Sequence, residues 1–248
     1  MIGTALVLLL AGYQYGGTFI GAVICDTGVV IAADSRTTFL DGNGRAFGYM
    51  DGMPKIYVDR GSAIAVAGLT SLEGELFSSF VNRNHDLLAR PVNEILFGFL
   101  VWMPFANSNG VLTISAGFQD GKPTICAKAP ILPQTCSNAS FISNKNSPQL
   151  RGALTKLGRL PTTAEASTAL KAAIEESSRA DPTVGGPVSI LTLSPSSPPQ
   201  WSGVPPTDGG LTRICDLVRE HRAGRRRIIP VGAPQELEQH LDAACPRK

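Results

Sequence analysis

Thr18 is the residue of this 248-residue chain whose position most clearly allows chemistry. It follows two glycines, Gly16 and Gly17, and opens an apolar, β-branched run that ends at Cys25. A threonine hydroxyl is a weak nucleophile until a base accepts its proton, and an N-terminal amine can be that base. The amine is exposed only if the peptide bond from Gly17 to Thr18 is cut, and the two glycines would allow the strained turn that self-attack needs.

Metal and cofactor chemistry has little support in the sequence. No CxxC pair or metal-ligand spacing occurs among the five cysteines, Cys25, Cys126, Cys136, Cys215 and Cys245. No HExxH motif occurs among the three histidines, His85, His221 and His240. We therefore expect neither a metal nor a cofactor. An odd number of cysteines argues against a disulfide scaffold, although Cys126 and Cys136 could pair if the protein is exported.

Two motifs flank the first predicted turn. Gly17-Thr18 precedes Phe-Ile-Gly-Ala-Val at 19–23, and Gly-Val-Val-Ile-Ala-Ala-Asp-Ser-Arg follows at 28–36. This stretch resembles the start of a mature proteasome β subunit, in which the nucleophilic threonine opens the first strand and Ala-Asp-Ser-Arg ends the second. In catalytic subunits of that family the acidic residue lies sixteen positions after the threonine, as Asp34 does here (34 − 18 = 16). The resemblance covers about 18–194.

The resemblance implies roles for further residues. Lys55 is similar to the family's buried lysine, a cation that would lower the proton affinity of the Thr18 amine, and Asp34 would hold it by a charge-assisted hydrogen bond. Gly68 would donate its N–H to the oxyanion, a contact typically worth ~3 kcal/mol. Ser147 is similar to the serine near the amino terminus. Asp181 opens a loop, Asp-Pro-Thr-Val-Gly-Gly, similar to the one before the family's late strand.

Three departures from the family pattern are visible. Asn144 and Asn146 replace the usual glycines before the serine, Val184 replaces a serine three residues after the aspartate, and Phe19 replaces a second threonine.

The resemblance also implies a substrate pocket beside the nucleophile, lined by Thr37, Thr38, Met53, Val66 and Thr70. A mid-sized apolar pocket without a charge would suit a neutral, hydrophobic side chain of a peptide. The alternative is that Met53 and Val66 are core residues.

Hydrophobic periodicity predicts the elements that position these residues. Strand pairs are expected around 19–33, 55–67 and 111–127, helices over 72–88, 95–103 and 163–179, and a late strand over 188–193. Thr162 and Glu165 have the spacing of a capping box. The order predicts an α+β fold, a four-layer αββα sandwich of two antiparallel sheets flanked by helix pairs. This is the N-terminal-nucleophile hydrolase fold.

Three segments are predicted: 1–17, a propeptide or signal-like segment; 18–194, a proteasome-type hydrolase domain; and 195–248, a linker rich in Pro, Ser and Gly followed by a tail. The apolar run 5–11 is too short to span a bilayer. No Lys or Arg precedes it, which favours a propeptide and a cytoplasmic protein over a signal peptide and export.

The net charge and one apolar segment indicate which partners to expect. A formal charge of +2 gives no reason to expect nucleic acid or an anionic membrane. The segment 94–105 is apolar almost all round, so we expect its outer side to meet another subunit, unless the tail covers it. The leading interpretation is a threonine peptidase in an oligomeric ring. The alternatives are a non-catalytic structural ring subunit and an N-terminal-nucleophile amidase that acts on small amides.

Overall fold

The computed structural model describes residues 17–68, 71–72, 74–99, 111–129, 133–137, 141–203 and 205–247. The strands in these ranges are β1 (Ile20–Ile24), β2 (Val29–Ala33), β3 (Thr37–Leu40), β4 (Ala46–Met50), β5 (Ile56–Asp59), β6 (Ser62–Gly68), β7 (Ser71–Leu72), β8 (Glu75–Leu76), β9 (Val111–Gln119), β10 (Lys122–Lys128), β11 (Thr135–Ser137), β12 (Phe141–Ser143), β13 (Ser189–Ser194), β14 (Ser197–Trp201) and β15 (Ile229–Pro230). The α-helices there are α1 (Phe77–Arg83), α2 (Val92–Phe99), α3 (Pro148–Lys156), α4 (Thr163–Ala180), α5 (Ile214–Arg222) and α6 (Pro234–Ala244), and a 3-10 helix spans His85–Ala89.

Two five-stranded antiparallel sheets dominate the described part of the chain, with strand orders β12-β1-β2-β13-β14 and β11-β10-β9-β6-β5. A three-stranded sheet, β15-β4-β3, and the small pair β7-β8 accompany them. The predicted α+β class with antiparallel sheets is confirmed.

A hydrophobic layer joins the two large sheets. Because side chains alternate along a strand, one face of β1 contributes Ile20, Ala22 and Ile24 to this layer. β9 of the other sheet contributes Leu112 and Ile114, and all five side chains are at most 1% exposed. The opposite faces of the sheets are left for the helices to cover.

Each outer face packs against helices. Phe19 and Val23 share a buried cluster with Leu170 of α4, and the predicted capping box from Thr162 to Glu165 begins that helix. On the other sheet Ile64 shares a cluster with residues of α1 and α2, including the fully buried Ile95. The remainder of the apolar segment, 100–105, lies outside the described residues, so its packing against another subunit stays a prediction.

Strand register brings the candidate residues toward one end of the sheets. β1 and β2 pair antiparallel with Ile20 opposite Ala33, so Thr18, just before β1, lies near Asp34, just after β2. β5 and β6 pair with Ile56 opposite Ala65. Lys55 therefore lies near the end of β6.

The predicted linker is wrong in its first part. Ser197–Trp201 forms strand β14, which pairs with β13 at the edge of a large sheet. Proline lacks the N–H of a ladder donor and is tolerated at sheet edges, so Pro198 and Pro199 are compatible with this strand. The composition rule for linkers does not distinguish such an edge strand from a loop.

The C-terminal residues also pack on the rest of the chain. Leu217 and Val218 of α5 and Leu237 and Leu241 of α6 share a buried cluster with residues of β3 and β4. β15 adds to the same hairpin, with Ile229 opposite Tyr49. The segment predicted as a tail thus supplies a hydrophobic cover for the β3–β4 hairpin.

Two disulfides link pairs that the cysteine count did not favour. Cys126 and Cys136 are bonded across the antiparallel pair β10–β11, as the export alternative allowed, and Cys215 is bonded to Cys245. The fifth cysteine, Cys25, is free and buried. Burial raises the pKa of the Cys25 thiol to about 12, so its reactive thiolate is scarce at neutral pH.

This pairing predicts a thiol count. Oxidised protein unfolded without reductant should show one titratable thiol per chain, and reduced protein should show five. The folded, oxidised protein should show almost none, because Cys25 is buried and protonated. Titration with a chromogenic disulfide reagent measures all three values. Three or more thiols in the unreduced, unfolded sample would contradict the pairing.

Candidate active site

Thr18, Asp34 and Lys55 form a buried, hydrogen-bonded cluster. Lys55 Nζ donates to Thr18 Oγ1 over 2.6 Å and to Asp34 Oδ1 over 3.0 Å. It also donates to the Arg36 carbonyl. The three cluster side chains are at most 2% exposed. The structure therefore brings together a hydroxyl, an ammonium and a carboxylate that lie 37 residues or fewer apart in sequence.

Asp34 binds four donors from separate segments. Besides Lys55, its Oδ1 accepts the Phe19 N–H over 2.8 Å, and its Oδ2 accepts the N–H groups of Arg36 and Gly185 over 3.2 and 2.9 Å. A carboxylate that accepts several N–H bonds is stabilised in its charged form even when buried. Asp34 thus both pairs with Lys55 and fixes the strand that begins after Thr18.

The environment of Lys55 makes its ammonium a stronger acid, and its neutral amine a weaker base, than those of a surface lysine. Burial lowers the pKa of Lys55, and the adjacent Asp34 carboxylate and its hydrogen bond oppose this effect without cancelling it. A lysine with a lowered pKa has a larger neutral fraction, and the neutral amine can accept a proton. At 2.6 Å, Thr18 Oγ1 is the hydroxyl from which Lys55 could accept it.

The Thr18 hydroxyl lies beside the peptide bond that joins Gly17 to Thr18. Thr18 Oγ1 donates to the Gly17 carbonyl oxygen over 2.7 Å. Gly17 has φ of +74°, a left-handed conformation that side-chain-bearing residues rarely adopt. A methyl group on its Cα would also lie 3.2 Å from Thr38 Oγ1. The conformation and the close neighbour together explain why glycine precedes Thr18.

The other predicted catalytic residues are placed differently. Gly68 ends β6 with φ of +106°, opposite Val111. The Ser147 hydroxyl caps α3 by accepting the Leu150 N–H and donates to Glu176, so its bonds are directed to helices. No hydrogen bond from Gly68 or Ser147 to Thr18 occurs within the described residues.

Asp181 orders the loop beside Gly17. Its carboxylate forms an ion pair with Lys145 Nζ at 2.8 Å and accepts a hydrogen bond from the Thr183 N–H over 2.9 Å. Burial would raise the pKa of Asp181, but the bonds from Lys145 and Thr183 outweigh it and hold that pKa below the ordinary value. Thr183 lies next to Gly17: its Cβ is 3.5 Å from a methyl group placed there. Asp181 therefore supports the site through Thr183.

The predicted pocket residues divide into two groups. Met53 and Val66 are core residues in this structure, Met53 packing with the C-terminal helices and Val66 with α1 and α2. The hydroxyls of Thr37 and Thr38 are buried and lack a hydrogen-bond partner among the described residues. Thr70 lies outside those residues. Among the four that the structure describes, Thr37 and Thr38 have free hydrogen-bonding capacity, and Thr38 lies beside Gly17.

Sequence reasoning did not find the residues that join the loops around the site. Arg36 makes a bidentate ion pair with Asp51, donates to the Pro182 carbonyl over 2.7 Å and stacks on Tyr49. Asn144 hydrogen-bonds the Thr18 carbonyl. Arg36 could have been recognised from the sequence because it belongs to the Ala-Asp-Ser-Arg tetrad. Asn144 could have been recognised because it departs from the family's glycine.

Comparison with known proteins identifies the fold. No family model matches the chain, and no curated protein matches it. Among solved structures it is similar to a Gly-1 mutant of Anbu from Hyphomicrobium sp. strain MC1, with a TM-score of 0.54 and 15% identity. The chain therefore shares its fold with this Anbu structure.

The match to Anbu is nearly full-length on both sides. It covers 92% of this chain and 93% of the Anbu chain. Of 248 residues, 92% is about 228, which is more than residues 1–194 can supply. The structural likeness thus extends past residue 194, where the sequence resemblance to proteasome β subunits ends.

No helix in the described ranges is long and apolar enough to cross a membrane. The same residues contain no group of three or more His, Cys, Asp or Glu side chains arranged to hold a metal ion.

Proposed function

We propose that this protein is a threonine peptidase that activates itself by cutting between Gly17 and Thr18. The observation that supports this most directly is the 2.6 Å hydrogen bond from Lys55 Nζ to Thr18 Oγ1, with the same hydroxyl 2.7 Å from the carbonyl oxygen of the scissile bond. A hydroxyl beside a basic nitrogen and an adjacent carbonyl is the arrangement that nucleophilic catalysis requires.

Self-cleavage follows from this arrangement in two steps. Before cleavage the nitrogen of Thr18 belongs to an amide and is not basic, so neutral Lys55 takes the hydroxyl proton. Thr18 Oγ1 then forms a bond to the Gly17 carbonyl carbon, and the bond from that carbon to the Thr18 nitrogen breaks. Lys55 returns the proton to that nitrogen, which becomes the free amine of Thr18. Water hydrolyses the resulting ester, which releases 1–17 as a carboxylic acid and restores the hydroxyl.

Turnover of a peptide would reuse the same atoms. The freed Thr18 amine acts as the base, Thr18 Oγ1 attacks the substrate carbonyl to form an acyl-enzyme, and water completes hydrolysis. We infer that the Gly68 N–H, at the end of β6, stabilises the oxyanion. We further propose that the hydroxyls of Thr37 and Thr38, which are buried and unpartnered among the described residues, bind the substrate once residues 1–17 are released.

The finer features of the fold and assembly belong to the same proposal. Hydrophobic layers between the two sheets and under the helices support a four-layer αββα sandwich of the N-terminal-nucleophile type. The likeness to proteasome-like Anbu is compatible with an oligomeric ring built from copies of this chain or related subunits.

The two disulfides bear on the compartment. Disulfides form and persist mainly in oxidising compartments. One pair here joins β10 to β11, and the other joins α5 to the C-terminal end of α6. They favour export over the cytoplasmic location expected from residues 1–17.

An intact-mass spectrum of purified wild-type protein, together with an assay on fluorogenic peptides, tests the function. The expected result is a chain that begins at Thr18 and hydrolyses peptides that have a neutral, hydrophobic residue before the cut. A full-length, inactive chain would instead indicate a structural subunit. Maturation with hydrolysis of small amides but no peptides would indicate an amidase.

A further inference from the structure

Asn144 holds the backbone at the start of the proposed mature chain. Its Nδ2 donates to the Thr18 carbonyl over 2.7 Å, and its Oδ1 accepts the Ile20 N–H over 2.8 Å. Its own N–H donates to the Ile20 carbonyl over 3.1 Å. Asn144 is 8% exposed, so these bonds have little competition from water.

The side chain extends a strand pairing that the backbone cannot continue. β12 pairs with β1 from Phe141–Val23 to Ser143–Gly21, and Asn144 follows opposite Ile20. The chain then leaves the sheet toward α3, which begins at Pro148. A neutral amide offers both a donor and an acceptor, so it can replace the missing ladder partners.

Two bonds fix opposite sides of one peptide plane. The Phe19 N–H is bound by Asp34 Oδ1 at 2.8 Å, and the Thr18 carbonyl is bound by Asn144 at 2.7 Å. These two groups belong to the same peptide unit. After cleavage Thr18 loses its covalent tether to Gly17, and this unit becomes its remaining backbone attachment.

We propose that Asn144 is a positioning residue for Thr18: it fixes the Thr18–Phe19 peptide plane and thereby aims the nucleophilic oxygen at Lys55 and the substrate. The proposal rests on the function proposed above. Asn144 contacts a backbone carbonyl and not the reacting oxygen, so its effect is on geometry.

The test compares Asn144→Ala with Ser143→Ala in the full chain. Ser143 is the matched control because its hydroxyl donates to Lys145 within the same loop. Rates are expressed per mature N-terminus, counted by mass spectrometry. Because a misplacement of about 1 Å can cost ~10²-fold, kcat of Asn144→Ala should fall about 100-fold. Its KM should change little, and Ser143→Ala should retain wild-type values.

Asn144→Asp adds a pH signature that a general loss of stability would not produce. At neutral pH a carboxylate would face the Thr18 carbonyl without a proton to donate. When protonated, the same group can donate to that carbonyl while its other oxygen accepts the Ile20 N–H. The ratio of variant to wild-type kcat should therefore rise as pH falls through the pKa of the new carboxyl group, whereas the ratio for Ser143→Ala should stay flat.

The outcomes separate the two proposals. If wild-type protein matures and turns over, but Asn144→Ala matches Ser143→Ala or shows only a raised KM with unchanged kcat, the positioning role is wrong and the peptidase function stands. If wild-type protein neither matures nor turns over, the peptidase function is wrong and the positioning role falls with it. Should Asn144→Ala fail to fold, the pH ratio of Asn144→Asp decides, and a flat ratio overturns the proposal.

Discussion

Replacement of Thr18 by alanine is expected to leave residues 1–17 attached and to abolish peptide hydrolysis. The hydroxyl is the group that lies between Lys55 and the Gly17 carbonyl, and alanine removes it while leaving the backbone bonds to Asn144 in place. Loss of one member of a catalytic unit typically costs 10³-fold or more. Intact mass and peptide turnover measure the two effects on one sample.

Thr27→Ala is the matched control for Thr18→Ala. Thr27 is an exposed threonine in the turn between β1 and β2, so its variant should mature and turn over like wild type. Thr18→Ser keeps a hydroxyl and should still be cut. Full peptidase activity in Thr18→Ala would contradict the proposed mechanism.

Replacement of Lys55 by alanine should also prevent maturation and lower turnover on the order of 10³-fold. The fold should persist, because Asp34 keeps its N–H donors from Phe19, Arg36 and Gly185. Thermal unfolding checks this point, and turnover of any mature chain gives the catalytic effect. Wild-type rates in Lys55→Ala would mean that its contact with Thr18 has no chemical role.

Two further lysine variants sharpen this test. Lys55→Arg should not restore activity, since the planar guanidinium does not fit an ammonium site and stays protonated. Lys122→Ala, which removes an exposed lysine from β10, should behave as wild type.

The parts of the site that were predictable are those set by adjacent strands. Thr18 and Asp34 lie at neighbouring ends of one hairpin, so sequence spacing alone constrains their distance. Asn144 was not predictable in this way, because its contact with Thr18 depends on how β12 pairs with β1 across 126 residues. Ser147 was assigned by similarity to a family motif, whereas its bonds to Leu150 and Glu176 arise from the start of α3.

The packing of the C-terminal part was also not predictable from local sequence patterns. Helix α5, Ile214–Arg222, lies in the segment that the sequence predicted as a tail. The Cys215–Cys245 bond and the packing of α5 and α6 on β3–β4 are contacts between segments distant in sequence. Neither composition nor local pattern contains that information.

The two halves of the candidate site come from different sheets, and this has a consequence for the order of events in a newly made chain. Thr18 precedes β1 of one large sheet, and Lys55 precedes β5 of the other. Until the sheets stack, the hydroxyl has no basic nitrogen beside it, so under the proposed mechanism an unfinished chain cannot cut itself. Retention of residues 1–17 would then mark molecules that have not completed folding, even when every catalytic side chain is present.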